Sequence, residues 1–268
     1  MPDAEAGRTV ARDLALLAAT VREAGELALR MFRTTLRTWT KGVSSPVSEA
    51  DIAVNDLILA RISAADPEAG LLSEESADDA GRLARRRVWI VDPIDGTRSY
   101  LAGREDWTVS VALVEDERPV VAAVFAPASD ELFLAAQGGG ASINAAPIHA
   151  TGGTALDIRR MAGPRMLIER LGAPPPGADS HPRIGSLALR ICRVADGRID
   201  AAFATGNSRD WDLAAADLIV QEAGGRLTSL AGQPLVYNRP SVTHGELAAA
   251  GRDRHAVIVR RLHGVSGG

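Results

Sequence analysis

The feature that most constrains the fold of this chain is a short apolar segment that ends in two aspartates. Residues 88–91 read Val-Trp-Ile-Val, and residues 92–97 read Asp-Pro-Ile-Asp-Gly-Thr. An apolar run of this length is typical of a buried strand, so both carboxylates are expected at a strand end. Carboxylate oxygens are ligands for Mg²⁺, and the N–H groups and hydroxyl of Gly96 and Thr97 suit a phosphate. The segment favours a metal and phosphate site, although the same sequence is also compatible with a strand that ends in a simple Asp-Gly turn.

The bulk properties exclude several classes of function. A net charge of −4 and a pI of about 5.8 argue against a nucleic-acid groove, which usually carries a basic stripe. The single cysteine, Cys192, excludes a disulfide within the chain and a thiolate metal cluster. Residues 1–12 are polar and acidic, unlike a signal peptide, and no apolar run approaches the ~20 residues that span a bilayer. We therefore expect a cytoplasmic protein.

In the first part of the chain, helices are predicted to precede a β-rich region. Apolar residues at helical spacing predict a long helix over residues 10–36, followed by a polar loop that contains Lys41. Ser48 and Asp51 have the spacing of a capping box that would open a second helix. Strands are predicted in the segments that follow, over residues 71–72, 87–92, 108–114, 120–125 and 131–135.

The Gly- and Pro-rich residues 150–181 mark the predicted boundary between two halves. Residues 1–150 would form an N-terminal α+β half with most of the metal ligands. Residues 151–268 would form a C-terminal α/β half with the last metal aspartate and the substrate contacts. Helices are predicted there over 186–195, over 211–223 and from about Arg252, and strands over 199–204 and near Leu227, Leu235 and Leu247. The predicted fold class is a layered α/β enzyme with a cleft between the halves.

Carboxylates recur at the predicted ends of four separate segments: Asp51, Glu74 with Glu75, Asp92 with Asp95, and Asp212. Each has a simple structural explanation, since Asp51 completes the capping box, acids near Asp212 favour a helix start, and the glutamates suit solvent. A shared site for several divalent cations accounts for all four segments at once. Ions that bridge phosphate oxygens need this many oxygen ligands in one cleft.

These segments resemble the signatures of the inositol monophosphatase superfamily, whose members are Mg²⁺-dependent, lithium-sensitive phosphatases. One signature is Trp-Ile-Val-Asp-Pro-Ile-Asp-Gly-Thr at 89–97, and another is Trp-Asp-Leu-Ala-Ala-Ala at 211–216, followed by Glu-Ala-Gly-Gly at 222–225. Leu-Ser-Glu-Glu-Ser at 72–76 and Ser-Pro-Val-Ser-Glu-Ala-Asp at 45–51 match the two upstream elements in order and spacing. The resemblance runs from about Leu14 to Arg261. It implies an alternating αβαβα sandwich of the inositol monophosphatase and fructose-1,6-bisphosphatase type.

The resemblance also implies a role for each motif residue. Two to three Mg²⁺ ions per site would be held by the following groups: the carboxylates of Glu74, Asp92, Asp95 and Asp212 and the carbonyl of Ile94. Asp51, Glu74 and Thr97 would be the catalytic residues, and the Asp51–Thr97 pair would orient and help deprotonate the attacking water. The N–H groups of Gly96 and Thr97 would bind the phosphate, and water would displace the leaving alcohol from phosphorus in line, without a phosphoenzyme.

The implied substrate is a small phosphorylated metabolite, and several details favour a 3'(2'),5'-bisphosphate nucleotidase that acts on 3'-phosphoadenosine 5'-phosphate. Leu-Ser-Glu-Glu at 72–75 and Pro-Leu-Val-Tyr at 234–237 are similar to elements of that branch. Inositol phosphatases carry a glutamate seven residues before the last metal aspartate, where this chain has Thr205, which would contact the substrate in its place. Arg98 and Arg209 would either bind a second phosphate or be solvated surface residues.

Two other functions stay open within the family. Residues 207–210 match the nucleotidase branch poorly, so an inositol-1-monophosphatase or a histidinol-phosphate phosphatase is the alternative. A non-catalytic binding protein of the same fold is disfavoured because every metal-ligand position is filled. The resemblance allows a homodimer, and neither a nucleic acid nor a membrane is expected as a partner.

Overall fold

A computed structural model describes residues 2–42, 45–172 and 181–265 of the chain. The helices in these ranges are α1 (Pro2–Met31), α2 (Glu49–Ala65), α3 (Thr97–Leu101), α4 (Arg165–Glu169), α5 (Leu187–Ala195), α6 (Asp210–Glu222) and α7 (Arg252–Val265). The strands of the first half are β1 (Thr38–Lys41), β2 (Ser45–Ser48), β3 (Gly70–Ser73), β4 (Arg87–Asp95), β5 (Thr108–Glu115), β6 (Arg118–Ala126), β7 (Glu131–Ala136), β8 (Gly140–Ile143) and β9 (Ala146–Pro147). Those of the second half are β10 (Met161–Ala162), β11 (Ala201–Ala204), β12 (Ser208–Arg209), β13 (Gly225–Ser229), β14 (Thr243–His244) and β15 (Leu247–Gly251).

Strands β3 to β9 form one sheet in sequence order, and its central strands are buried on both faces. Strand β3 pairs with β4 in parallel, and the remaining neighbours are antiparallel. Because side chains alternate along a strand, Trp89 and Val91 pack on one face with α1 and α2, while Val88 and Ile90 pack on the other with α5 and α6. This alternation explains why residues 88–91 read as a continuous apolar run.

A second sheet, in the order β10-β11-β15-β13, packs on the far side of α5 and α6. Its outer face contacts α7, and residues of α4 lie in the same apolar cluster. The order of layers is therefore helix, sheet, helix, sheet, helix, and the predicted αβαβα sandwich is confirmed. Helices α5 and α6 lie between the two sheets, so residues at their first turns meet the ends of strands from the first sheet.

Some local predictions differ from the structure. The long first helix ends at Met31 rather than near Leu36, because Arg33 has a positive φ of 60° and Thr34 donates back to the Met31 carbonyl. The predicted loop at Lys41 is part of the β1–β2 hairpin. Leu235 lies in no named strand, and only an isolated bridge between Thr228 and Pro234 is formed nearby. No helix in the described part of the chain is long and apolar enough to cross a membrane.

Candidate active site

An irregularity at the end of β4 brings its two aspartates together. Residues three apart on a regular strand point to opposite faces of the sheet. The pairing with β5 shifts register between Asp92 and Asp95, so Asp92 lies opposite Ser110 and Asp95 opposite Thr108. A bulge of this kind inserts one residue and redirects the side chains that follow it. The sequence Asp-Pro-Ile-Asp can thereby present both carboxylates to one cleft.

Asp212, the third residue of α6, completes a cluster with these two aspartates. One oxygen from each of Asp92, Asp95 and Asp212 lies within 4.8 Å of the others. Asp92 is 1% exposed, and its Oδ1 is buried without a hydrogen-bond partner among the described groups. An orphaned carboxylate oxygen is costly in a protein interior unless a cation contacts it. The donor set, hard and anionic oxygens, fits Mg²⁺.

Hydrogen bonds from neighbouring helices fix two of the three carboxylates. Asp95 Oδ2 accepts from Ser186 Oγ at 2.5 Å and from the Ala188 N–H at 2.7 Å, both at the start of α5. Asp212 Oδ2 accepts from the Arg209 N–H at 2.7 Å. Outer contacts of this kind orient ligands before a cation binds. Sequence reasoning did not assign the role of Ser186, which is set by where α5 begins in space.

The electrostatics of the cluster also suit a cation. Burial, and then repulsion by the neighbouring carboxylates, raises the pKa of Asp92 well above its usual value, and burial and Asp95 do the same to the pKa of Asp212. The pKa of Asp95 is raised by burial, although hydrogen bonds from α5 oppose the shift. Burial and the charge of Glu75 raise the pKa of Glu74 to about 7. Carboxylates this close together are stabilised in their ionised form by a divalent cation.

Glu74 lines the same cavity as the three aspartates but stands outside their cluster. It lies beyond β3 and is contacted by Lys41, whose ammonium donates to its backbone carbonyl and lies 3.9 Å from its Oε1. Lys41 also pairs with Glu75 Oε1 at 3.1 Å. The sequence indicated Lys41 only as a loop residue, and its contact with the two glutamates depends on the β1–β2 hairpin.

Asp51 and Thr97 are in contact beside this cluster. Asp51 Oδ1 lies 3.1 Å from Thr97 Oγ1, while Asp51 Oδ2 accepts from the Ser48 N–H at 2.8 Å and from Ser48 Oγ at 2.6 Å. Asp51 therefore caps α2 and contacts Thr97 at the same time. Thr97 Oγ1 is also 3.0 Å from the Ile94 carbonyl, and its single hydrogen can serve only one of the two acceptors. Burial raises the pKa of Asp51.

Gly96 makes the turn between β4 and α3. Its φ of 96° lies in the left-handed region, and a Cβ there would come 3.1 Å from the Ser186 N and 3.2 Å from the Asp106 carbonyl. Glycine is required by both the conformation and the close approach of α5. The first N–H groups of α3 have no acceptor within the helix, so the turn presents donors to the cavity that Gly96 and Thr97 line.

Besides Gly96 and Thr97, the three other predicted substrate contacts lie in different places. Arg98 lines the cavity that contains the carboxylates, a space of about 420 Å³. Thr205 lines a neighbouring cavity of about 650 Å³. Arg209 is not among the described residues that line either space, and its guanidinium donates to Thr243 Oγ1 on β14. The structure thus brings Arg98 to the carboxylates and leaves Arg209 outside.

Comparisons with known proteins agree with this geometry. A model of the inositol monophosphatase family matches residues 10–265. The inositol-1-monophosphatase of Mesorhizobium japonicum is 35% identical over 226 residues, which cover 76% of this chain and 80% of that protein. The histidinol-phosphatase of Mycobacterium tuberculosis is 35% identical over 236 residues, covering 82% and 88%. The solved structure of the Thermotoga maritima IMPase superposes with a TM-score of 0.81 at 25% identity, covering 95% of this chain and 98% of that one.

Proposed function

The chain belongs to the inositol monophosphatase family and is a phosphoric monoester hydrolase, and we propose that Mg²⁺ drives its reaction at the carboxylate cluster. The residues that would hold two to three ions are Glu74, Asp92, the carbonyl of Ile94, Asp95 and Asp212. The observation that carries this proposal is the buried, unpartnered Oδ1 of Asp92 within 4.8 Å of two further carboxylates. Bound Mg²⁺ would supply an acidified water and neutralise charge on the phosphate.

The role that we propose for Asp51 and Thr97 is to orient the attacking water. Thr97 Oγ1 is held between Asp51 Oδ1 and the Ile94 carbonyl, at the edge of the cavity. When the hydrogen of Thr97 points to Asp51, a lone pair of the hydroxyl is free to accept a hydrogen bond from the attacking water. As that water gives its proton to Thr97 Oγ1, Thr97 would pass its own proton to Oδ1 of Asp51, which Ser48 holds in place, so the hydroxyl stays neutral.

The phosphate would be positioned by the turn at Gly96. The N–H groups of Gly96 and Thr97 lie at a helix start, where backbone donors stabilise negative charge. Because α5 packs directly against Gly96 and also holds Asp95, the phosphate donors and one metal ligand share a common support. This arrangement would align the phosphate with the carboxylates without a side-chain nucleophile.

The substrate that we propose is a phosphate monoester with a second phosphate, with 3'-phosphoadenosine 5'-phosphate as the leading candidate. Position 205 carries a threonine, whose neutral hydroxyl is a weaker hydrogen-bond acceptor than a carboxylate. The cavity that holds the acidic cluster is also lined by three arginines, Arg98, Arg104 and Arg183. Arginine binds phosphate through two parallel hydrogen bonds. The similarity to an inositol-1-monophosphatase and a histidinol-phosphatase favours inositol 1-phosphate or histidinol phosphate as the second candidate.

A panel of four substrates tests this proposal. Phosphate release with Mg²⁺ is measured for 3'-phosphoadenosine 5'-phosphate, inositol 1-phosphate, histidinol phosphate and fructose 1,6-bisphosphate. We expect the highest kcat/KM with 3'-phosphoadenosine 5'-phosphate. A higher kcat/KM with inositol 1-phosphate or histidinol phosphate would reverse the ranking of the substrates. The assignment of the chain as a phosphatase would be unaffected.

A further inference from the structure

The second cavity, of about 650 Å³, differs in charge from the cavity that contains the carboxylates. Its charged and titratable lining residues in the described ranges are His181, Arg183 and Arg190, and none of the described lining residues is acidic. Arg183 lines both cavities, so the two spaces adjoin at this residue. The space that contains the carboxylate cluster and a basic space thus lie side by side, as the binding of one extended substrate across both would require.

Arg190 lies half-buried on α5 and has only neutral partners among the described hydrogen bonds. Its two terminal nitrogens donate to the carbonyls of Phe203 and Ile184, each at 2.9 Å. Within residues 2–42, 45–172 and 181–265, no carboxylate forms an ion pair with it. Burial lowers the pKa of Arg190. The negative charges of Asp95 and Asp106 oppose this shift, and the positive charge of Arg183 adds to it. When a guanidinium in a cavity wall has only neutral acceptors, its positive charge is incompletely compensated, and a bound anion stabilises it.

Arg183, which lies where the two cavities adjoin, also has no acidic partner among the described residues. It is exposed, and it forms no salt bridge with a carboxylate of the described residues. The neighbouring Arg104 is different, because its guanidinium pairs with Asp106 and donates to the Arg183 carbonyl. Arg104 therefore fixes the backbone at Arg183, and the Arg183 side chain is left to contact a ligand.

We infer that the second cavity binds the second phosphate of a bisphosphorylated substrate through Arg183 and Arg190. This inference rests on the proposed function and assigns the outer phosphate to these two residues rather than to Arg209, whose guanidinium is bonded to Thr243. Two guanidinium groups offer the planar donors that phosphate oxygens accept. The side chains of Ile184 and Leu187 add apolar wall for the scaffold that joins the two phosphates.

Matched substrate pairs test this subsite. The first pair is 3'-phosphoadenosine 5'-phosphate and adenosine 3'-monophosphate, and the second is fructose 1,6-bisphosphate and fructose 1-phosphate. We expect the wild-type protein to prefer the bisphosphate in at least one pair. In Arg183→Gln and in Arg190→Gln, the ratio of kcat/KM for that bisphosphate over its monophosphate should fall about ten- to hundred-fold, mainly through KM.

Arg226→Gln is the matched control, because Arg226 is exposed on β13 and is not among the lining residues of either cavity. It should keep the wild-type ratio. An unchanged ratio in Arg183→Gln, or a wild-type protein that prefers neither bisphosphate, would overturn the inference. Circular dichroism checks that Arg190→Gln folds, and if it does not, Arg183→Gln alone decides.

The test also separates failure of the subsite from failure of the phosphatase proposal. If none of the four compounds releases phosphate with Mg²⁺ while inositol 1-phosphate does, the subsite is wrong and the phosphatase proposal stands. If no phosphate ester is hydrolysed, the proposed function fails, and calorimetry then decides the subsite. In that case 3'-phosphoadenosine 5'-phosphate should bind more tightly than adenosine 3'-monophosphate to wild type but not to Arg183→Gln, and equal wild-type affinities would overturn the inference.

Discussion

At the scale of single residues, Asp51 combines two roles that the sequence offered as alternatives. Its Oδ2 accepts from Ser48 and caps α2, while its Oδ1 lies 3.1 Å from Thr97 Oγ1. A carboxylate has two oxygens, so structural and chemical roles need not compete. Mutants at these positions should separate the two roles, because Ser48 contacts only one side of the carboxylate.

Thr97→Ala should lower kcat by roughly 10²–10⁴-fold with little change in KM, because orientation of water matters mainly in the transition state. Asp51→Asn should cause a similar loss of kcat that is not additive with Thr97→Ala. It should also lower the free energy of unfolding by about 1 kcal/mol through the weakened cap. Steady-state kinetics and urea unfolding of the single and double mutants measure both effects.

Ser48→Ala is the control for the cap alone. It should reduce stability like Asp51→Asn but keep most of the wild-type kcat, because the contact between Asp51 Oδ1 and Thr97 remains. Fully additive losses of kcat in the double mutant would show that Asp51 and Thr97 act independently. A wild-type kcat in Thr97→Ala would show that Thr97 has only a structural role in the turn.

Single-residue patterns reveal contiguous motifs but not contacts between distant segments. Asp92, Asp95 and Asp212 stand in recognisable local sequences, and the structure brings their oxygens within 4.8 Å of one another. Arg190 has no such signal, since an arginine in an amphipathic helix normally faces solvent. Its place in a cavity wall depends on how α5 packs between the two sheets. Arg209 shows the reverse case, because its motif position suggested a ligand contact, whereas its guanidinium donates to Thr243 Oγ1 and is not among the described residues that line either cavity.

At the scale of elements, the turn between β4 and α3 is the part of the site that tolerates structural change least. The bulge redirects Asp95, and Gly96 then allows α5 to approach within van der Waals distance. Ser186 connects these features, because its hydroxyl contacts Asp95, accepts from the Leu189 N–H to cap α5, and lies 3.0 Å from Thr108 Oγ1. A shift at this turn would therefore move Asp95, a proposed metal ligand, and the proposed phosphate donors together.

Gly96→Ala should lower the free energy of unfolding by about 2 kcal/mol or more, since it adds a close contact with α5 to a left-handed φ. Gly224→Ala is the matched control, because Gly224 has a φ of 84° but no other atom within 4 Å of the place where an added methyl would lie. It should cost about 1 kcal/mol, the conformational term alone. Urea unfolding measures both. Equal losses in the two mutants would show that the approach of α5 to Gly96 is not close.

At the scale of the whole molecule, the layers could be predicted from the sequence, but the arrangement of the strands could be predicted only in part. Local periodicity identified most elements, the continuous apolar run at 88–91 indicated a buried strand, and the family resemblance implied the order of the layers. Leu235 was expected in a strand but lies beside an isolated bridge, because an apolar residue can enter the core from a loop. The β1–β2 hairpin was missed because its exposed outer strand lacks apolar alternation.

The collected carboxylates should make the stability of the whole protein depend on pH and Mg²⁺ together. The pKa of Glu74, whose usual value is 4.5, is raised to about 7, so the folded state binds more protons than the unfolded chain between these values. Without Mg²⁺, the stability from this group is present at low pH and lost as the pH rises through that window. Mg²⁺ binds the ionised groups and should reverse the loss.

The difference in Tm between samples with Mg²⁺ and samples with EDTA should therefore grow from about pH 5 to about pH 7.5. Differential scanning calorimetry across this range measures it, and Asp92→Asn, which removes one proposed ligand, should flatten the dependence. A Tm difference that is the same at every pH would show that these carboxylates do not bind the cation.

The central claim is that the cluster around Asp92 binds Mg²⁺ for phosphate release, and Asp92→Asn tests it most directly. The control is Asp217→Asn, a buried aspartate of α6 that bonds with Tyr237 and Gln221. Phosphate release at saturating Mg²⁺ and Mg²⁺ binding by calorimetry are measured for both variants and wild type. We predict a loss of kcat of about a thousand-fold or more and weakened Mg²⁺ binding in Asp92→Asn alone. Turnover near the wild-type rate in Asp92→Asn would contradict the account.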